Sequence, residues 1–387
     1  MESSDEQRCI LETGKIFIEK KIKPISNEID EEECFPADIF RSLGEVGLLG
    51  IPFPEEFGGV NSDFGTHIAF ITEMAIVCPS IAMAINAHSG LVCYMLNKYG
   101  SKRQKEKYLK PLLMGKSIGA FGLTEPNAGS DITGIQTYAE KKDDHYLLNG
   151  SKIFITNANV ADIFIIAAKT VPGKHSIGMG LFIAEKEMGG IDTTGKKERK
   201  LGMNAADTGA VYIQNLKIPK DNVVGMKDHG LKLLHDNLVT SRIGMAAIAL
   251  GIAKSAKAHC VRYVGQRKQF GKYLSQMQFI KGMLADMQVN ISAANLLVQH
   301  AVHVMSMGND YTIEASMAKL FSSEIAMKTT KDAIQILGGY GYSRDFHVER
   351  FFRDAKLTEI GDGTSEMQRL IIADEMLKRE SRVGTNV

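Results

Sequence analysis

Apolar residues return at helical spacing through residues 9–25, where Ile10, Leu11, Phe17, Ile18, Ile22 and Ile25 share one face. The same period predicts helices over 37–46, 64–77 and 104–114, and a longer one over 81–99 that Gly100 ends. The run Pro52-Phe-Pro-Glu-Glu-Phe-Gly-Gly59 interrupts them with two prolines and two glycines, a loop signal. Residues 1–120 are therefore predicted to form a helical domain.

From Gly119 the period changes. Short β-rich runs over 120–124, 138–139, 146–148, 153–156, 163–168, 181–184 and 210–213 alternate with turns, without helices between them. That spacing predicts a small antiparallel sandwich or barrel over residues 121–225. Beyond it the helical period returns in four long segments, roughly 231–266, 276–307, 311–337 and 365–379. Gly271, Gly308-Asn309-Asp310 and Gly338-Gly339-Tyr340-Gly341 punctuate them, and short connections favour an antiparallel bundle over residues 226–387. The predicted class is α+β, with an N-terminal helical domain, a middle antiparallel β-domain and a C-terminal four-helix bundle.

Composition narrows the functions available. With 387 residues, 44% of them hydrophobic, 24% charged and a net charge of +1, the chain is an ordinary globular one with no basic footprint for nucleic acid. Cys9, Cys34, Cys78, Cys93 and Cys260 are odd in number and far apart, so they read as free thiols of a reducing compartment. The acidic, polar start and the absence of an apolar run of ~20 residues, the longest spanning 243–253, predict a soluble cytoplasmic protein without membrane insertion.

Several stretches could carry chemistry. In Gly361-Asp-Gly-Thr-Ser-Glu-Met-Gln-Arg369 a carboxylate, Asp362, lies between two glycines just before a helical pattern. It suits a base on a tight turn at a helix start, and equally an ordinary turn and N-cap. Phe121-Gly-Leu-Thr-Glu-Pro-Asn-Ala-Gly-Ser-Asp131 ends a strand in a small-residue loop whose N–H groups and hydroxyls, Thr124 and Ser130, could approach a planar cofactor or a phosphate. Lys152-Ile-Phe-Ile-Thr-Asn157 places Phe154 and Thr156 on one strand face, a pattern that a core Phe also satisfies. No Gly-x-Gly-x-x-Gly follows a strand, which argues against a Rossmann nicotinamide enzyme. His300 and His303 lack a third ligand, so no metal is expected. Lys196, Lys197, Arg199 and Lys200 read as a solvated basic loop, with a phosphate-bearing ligand or a protein partner as the alternative.

Taken in order, these stretches resemble the acyl-CoA dehydrogenase family of flavoproteins. The resemblance rests on Pro54-Glu-Glu-Phe-Gly-Gly59, Leu123-Thr-Glu-Pro-Asn-Ala-Gly-Ser-Asp131, Asn149-Gly-Ser-Lys-Ile-Phe-Ile-Thr-Asn157, Arg267-Lys-Gln-Phe-Gly-Lys272, Gln335-Ile-Leu-Gly-Gly-Tyr-Gly341 and Arg353-Asp-Ala-Lys356. It implies FAD as cofactor, an acyl-CoA substrate, a homotetramer and electron-transfer flavoprotein as partner. Phe121, Leu123, Thr124 and Ser130 would line the flavin, and Phe154 and Thr156 would cover another part of its ring, Phe154 standing where many relatives carry Trp. Arg267, Phe270, Gln278, Gln335 and Gly339 match residues that reach FAD from a neighbouring subunit, while Thr364 and Glu366 would touch its adenosine side. Arg242 matches an arginine beside the CoA, and Ser130 and Gly363 would border the substrate, as would His88, for which a packed histidine is the alternative.

In the family's reaction a base removes the proton α to a thioester carbonyl while hydride leaves the β carbon for the flavin. Asp362 would be that base, and its backbone N–H would polarise the carbonyl. Most relatives have Glu here in a Tyr-Glu-Gly-Thr context, and another branch has its Glu at the position of Ser241. An Asp preceded by Gly361 resembles the dehydrogenases of alicyclic acyl-CoAs, such as cyclohexanecarboxyl-CoA and cyclohexene-carboxyl-CoA in anaerobic degradation of aromatic acids. Gly361 in place of Tyr would leave room for a ring. A short- or branched-chain acyl-CoA dehydrogenase, a 1,4-dehydrogenase of cyclohex-1-ene-1-carboxyl-CoA, a nitroalkane-oxidase-like flavoenzyme and a catalytically silent flavoprotein are the alternatives.

Overall fold

A computed structural model describes residues 4–170, 178–195, 197–225 and 229–384. Helix α1 (Asp5–Phe17) begins at a capping box, in which Gln7 N donates to Ser4 Oγ at 3.2 Å and Ser4 N donates to Gln7 Oε1 at 2.7 Å. Helices α2 (Ala37–Glu45) and α3 (Phe64–Val77) follow, the second capped by Asp63. Helix α4 (Pro79–Ile85) runs on through Asn86–Cys93 and Tyr94–Tyr99, so the helix predicted over 81–99 is present. Its middle, Asn86–Cys93, is wound in wider π-type turns, a form that natural helices often keep at functional sites.

The middle region is a seven-stranded sheet: β1 (Gly119–Gly122), β2 (Tyr138–Lys141), β3 (His145–Thr156), β4 (Ile163–Thr170), β5 (Gly178–Glu185), β6 (Ile191–Asp192) and β7 (Thr208–Pro219). Their order is β1-β4-β2-β3-β7-β6, with β5 paired to β4. Most pairs are antiparallel, as expected, but β1 and β2 both lie parallel to β4. A parallel pair needs a long connection, and the 123–137 loop, with one 3₁₀ turn at Ile132–Gly134, and the β2–β3 hairpin supply it without an α-helix. The runs at 146–148 and 153–156 prove to be one strand, β3, whose register against β7 shifts twice, at Leu148/Gly150 and Lys152/Ile155. The bulges hide its continuity from a strict alternation of polar and apolar residues.

The last third contains α5 (Gly230–Gln266), a small hairpin of β8 (Lys268–Gln269) and β9 (Lys272–Tyr273), then α6 (Gln278–Ser306), α7 (Thr312–Leu337), α8 (Val348–Thr358) and α9 (Ser365–Gly384). The four predicted long segments are all present. Helix α8 was hidden because its inward face mixes charge with the apolar Val348, Phe351 and Ala355: Arg350 donates to Ser26 O at 2.8 Å and to Val77 O at 3.1 Å, and buried Asp354 accepts from Met203 N. Helix α5 is long and apolar enough to cross a membrane, which the run at 243–253 alone did not suggest, yet 89% of its apolar window is buried inside the protein. A helix apolar on every side is one packed on every side. Here α3, α6 and α7 surround it, and residues of N- and C-terminal helices share one core. Strand β4 buries nearly its whole length between two further clusters, one on each face of the sheet.

Candidate active site

The turn between α8 and α9 holds Asp362 at φ +55° and Gly363 at φ +98°. A side chain at Gly363 would be strained and would meet Gln368 Nε2 at 2.8 Å. Thr364 Oγ1 accepts from Met367 N at 3.4 Å, so Thr364 caps α9 and leaves the Asp362 carboxylate free to turn inward. The two readings of this loop thus belong to two different residues.

Buried polar groups fix the turn from three helices. Ser241 Oγ, on α5, donates to Asp362 Oδ2 at 2.5 Å. Lys319 Nζ, on α7, donates to Gly363 O at 2.7 Å, and Gln368 Nε2, on α9, donates to the same carbonyl at 2.9 Å. Arg242 is 5% exposed, and its Nε and Nη1 have no partner among the described residues. Asp362 keeps some accessible surface, but protein surrounds its carboxyl closely. Burial pushes that carboxyl above the usual carboxylate range, against the pull of Ser241, Lys319 and Arg242. Burial also brings Lys319 down to about 8, opposed chiefly by the Asp362 charge. The result is an ionisable base in a largely buried, cationic surround. The Asp362 N–H makes no hydrogen bond among the described residues, so it remains available to a substrate carbonyl.

On the sheet side, Phe121 is buried in β1, Leu123 and Thr124 are half-buried, and Ser130 is exposed on the loop. Glu125 anchors that loop: it accepts from Gln136 N and Thr137 N, and its Oε1 lies 2.7 Å from Lys152 Nζ. Lys152 Nζ also donates to Leu123 O at 3.0 Å. Burial brings Lys152 down to about 8, while Lys152 and the backbone donors draw Glu125 below its usual range despite its own burial. The two directions pull apart; the contacts of Glu125 favour its charged form, so we read the pair as ionised. Next to Lys152, the second bulge of β3 turns Phe154 to φ +58° and leaves it 62% exposed, as a shelf rather than a core residue. Ile153 N donates to Thr124 O at 2.9 Å, which joins shelf and loop. An accessible aromatic face beside a loop of small residues suits a flavin ring, and Thr156 stands half-buried on the same strand.

Asn157 Nδ2 donates to Ala84 O at 3.2 Å and Gly119 O at 3.1 Å, tying this wall to α4. Two residues along, Asn86 Nδ2 donates to Ser241 Oγ at 3.3 Å. A continuous line of contacts therefore runs from the Phe154 shelf through α4 to Asp362.

Other expected residues lie elsewhere. Ser241 and Arg267 are separated by most of the length of α5, about 39 Å at 1.5 Å per residue. At that far end Arg267 stacks on Tyr340, 5.6 Å from the ring centroid, and lines one cavity with Gly339; Gln278 at the start of α6 and Gln335 near the end of α7 are exposed, and so is Phe270 on the hairpin, 94% accessible at φ +52°. These residues cannot meet Asp362 of their own chain. Glu366 sits exposed in the first turn of α9.

Three residues or stretches need closer placing. His88 is packed: it is fully buried, Nδ1 accepts from Gly119 N at 3.0 Å, and Nε2 meets Leu112 O at 3.2 Å. Burial lowers it to about 4, so it is a neutral tie between α4 and β1. The basic run is not all solvated either, since Lys200 Nζ donates to Ala206 O at 2.9 Å, and Lys196 lies outside the described residues. Nor is the space beside Gly361 empty, because a Cβ there would come within 2.9 Å of Met245 Cε. Asn86, Met245, Lys319 and Gln368 were not foreseen. Each was masked by a strongly helical pattern; the sign of Lys319 was a lysine among the small residues Ala315, Ser316, Ala318 and Ser322.

Comparison with known proteins agrees with this layout. The acyl-CoA dehydrogenase N-terminal, middle and C-terminal domain profiles match residues 4–116, 120–216 and 228–377. A short-chain specific acyl-CoA dehydrogenase of Clostridium acetobutylicum is 43% identical over 373 residues, 96% of this chain and 98% of its own. The structure of butyryl-CoA dehydrogenase from Megasphaera elsdenii superposes with a TM-score of 0.94 at 40% identity, covering 97% of this chain and 99% of that one. A chain from a study of the electron transferring flavoprotein of Acidaminococcus fermentans superposes with a TM-score of 0.95 at 39% identity, covering 97% and 99%. The chain belongs to the acyl-CoA dehydrogenase family and is an oxidoreductase whose cofactor is FAD.

Proposed function

We propose that Asp362 is the base of this acyl-CoA dehydrogenase and that it removes the α proton of a short, wide acyl-CoA of the alicyclic kind, such as cyclohexanecarboxyl-CoA. The observation that carries the reading is the inward carboxylate of Asp362, held by Ser241 and flanked by the Arg242 and Lys319 charges. Its free N–H would receive the thioester oxygen and draw electron density from the α carbon. The α C–H bond would then break toward the carboxylate, whose raised pKa suits it to take up that proton. Bound FAD supplies the acceptor for the hydride that leaves the β carbon. Arg242, with two nitrogens unpartnered among the described residues, would face the CoA-bearing part of the substrate.

Asp is one methylene shorter than Glu, so the α carbon must come closer to the turn, which a short acyl group with its branch at that carbon can do. Met245 fills the space beside Gly361, and its thioether is flexible enough to move aside for a ring. A second reading, a straight short chain with Met245 left in place, is favoured by that same methyl contact and by the short-chain relatives. Anaerobic bleaching of FAD-loaded protein by a panel of acyl-CoA thioesters, with product masses, separates the two. Faster bleaching by butyryl- or octanoyl-CoA than by cyclohexanecarboxyl-CoA would overturn the alicyclic reading.

The Arg267, Phe270, Gln278, Gln335 and Gly339 group, too far from Asp362 of its own chain, would complete the FAD site of a neighbouring subunit in a homotetramer. Exposed Phe270 and Phe279, 94% and 92% accessible, are the kind of aromatic anchors such an interface buries. Electron-transfer flavoprotein is the proposed electron acceptor.

A further inference from the structure

We infer that Ser241, oriented by Asn86, is the positioning residue that allows an aspartate to serve as the base. This rests on Asp362 being that base. Ser241 is 1% exposed and Asn86 2%. An ionised carboxylate only accepts, so the 2.5 Å contact requires Ser241 to donate its single proton to Asp362 Oδ2. Asn86 Nδ2, 3.3 Å away, donates into a lone pair of the same hydroxyl and so biases its proton toward Asp362. Asp362 Oδ1 carries no hydrogen bond among the described residues. One carboxylate oxygen is thus held and the other left to take the α proton.

The surroundings leave Asn86 little choice of position. A Cβ on Gly244 of α5 would come within 1.9 Å of Asn86 Oδ1, and one on Gly90 within 2.7 Å. Asn86 therefore packs into a gap that glycines on two helices leave open, at the start of the wide turns of α4. The charged groups facing the Asp362 carboxylate are Arg242 on α5 and Lys319 on α7, and both act on its charge. Ser241 supplies what neither does, a direct hydrogen bond to one chosen oxygen. A longer side chain would reach substrate with less help, whereas a short one has to be aimed.

The test compares steady-state kinetics and flavin bleaching of the FAD-loaded wild type with those of Ser241→Ala, Ser241→Thr, Asn86→Ala and the Ser241→Ala/Asn86→Ala pair, using the best thioester of the panel. Ser241→Ala should lower kcat about ten- to a hundredfold with little change in KM, and should move the acid limb of the kcat profile to higher pH. Ser241→Thr should restore both. Asn86→Ala should give a smaller loss, and the double variant should be no worse than Ser241→Ala, because Asn86 acts through that hydroxyl. If Ser241→Ala leaves kcat and the acid limb unmoved while Asp362→Asn abolishes turnover, the positioning role is overturned and the base assignment stands. If Asp362→Asn turns over like the wild type, the base assignment itself fails. Should Ser241→Ala lose its flavin or its fold, Ser241→Thr and Asn86→Ala decide: an unshifted acid limb in Asn86→Ala together with failure of Thr to support wild-type kcat contradicts the inference.

Discussion

Lys319 Nζ reaches from the buried side of α7 to the carbonyl of Gly363, 2.7 Å away, and so pins the turn that carries Asp362. Gln368 holds the same carbonyl, so the turn should survive loss of the lysine. What Lys319→Met removes is a positive charge that favours ionised Asp362. The acid limb of kcat should therefore move up in pH, and kcat near neutrality should fall several-fold. Stability should change in a second way. The folded-state pKa of Lys319 is about 8 against 10.5 for a free lysine, so the unfolded chain binds more protons between these values. This group makes the wild type gain stability as pH rises through that window. Denaturant titrations across it should show the gain in the wild type and its absence in Lys319→Met.

The Glu125–Lys152 pair should hold the flavin loop. Both partners are buried, and removing one leaves an uncompensated charge, at a cost of about 3–5 kcal/mol. Glu125→Gln should lower the unfolding midpoint and reduce the flavin-to-protein ratio after desalting. Unchanged flavin retention would show that the loop does not depend on this pair.

Phe270→Asp should disrupt assembly. Its ring is 94% exposed in one chain and lies on the hairpin proposed to reach the next subunit. Light scattering should show a smaller species, with FAD lost in parallel. A full-sized assembly with normal FAD content would remove Phe270 from the interface.

Met245→Ala should widen the space beside Gly361. The buried side chain leaves a cavity that costs about 2–5 kcal/mol of stability, and the ratio of kcat/KM for cyclohexanecarboxyl-CoA over butyryl-CoA should rise. A ratio that does not move would place the ring-bearing part of the substrate elsewhere.

Much of this arrangement can be read from the chain itself. The helical period marks α5, α6, α7 and α9, and glycines flanking a carboxylate mark the turn at Asp362, because both signals are local. Pairing is not local: nothing in β1 says that it will lie parallel to β4, and nothing around Phe154 says that a bulge will turn it outward. Isolated polar residues in apolar helices are the hardest to judge. His88 and Asn86 stand two apart in α4 in similar surroundings, yet one closes a core contact and the other points toward the base. Only the packing of α4 between β1 and α5 separates them.

The account turns on Asp362 as the base, and Asp362→Asn with anaerobic single-turnover bleaching tests it most directly. The variant should keep its FAD. Because burial raises the Asp362 pKa, the folded state disfavours the charged carboxylate above that pKa, so the uncharged Asn should unfold at a higher temperature than the wild type at neutral pH. Bleaching by the preferred acyl-CoA should slow by about 10²–10⁴-fold. Bleaching at the wild-type rate would contradict the assignment.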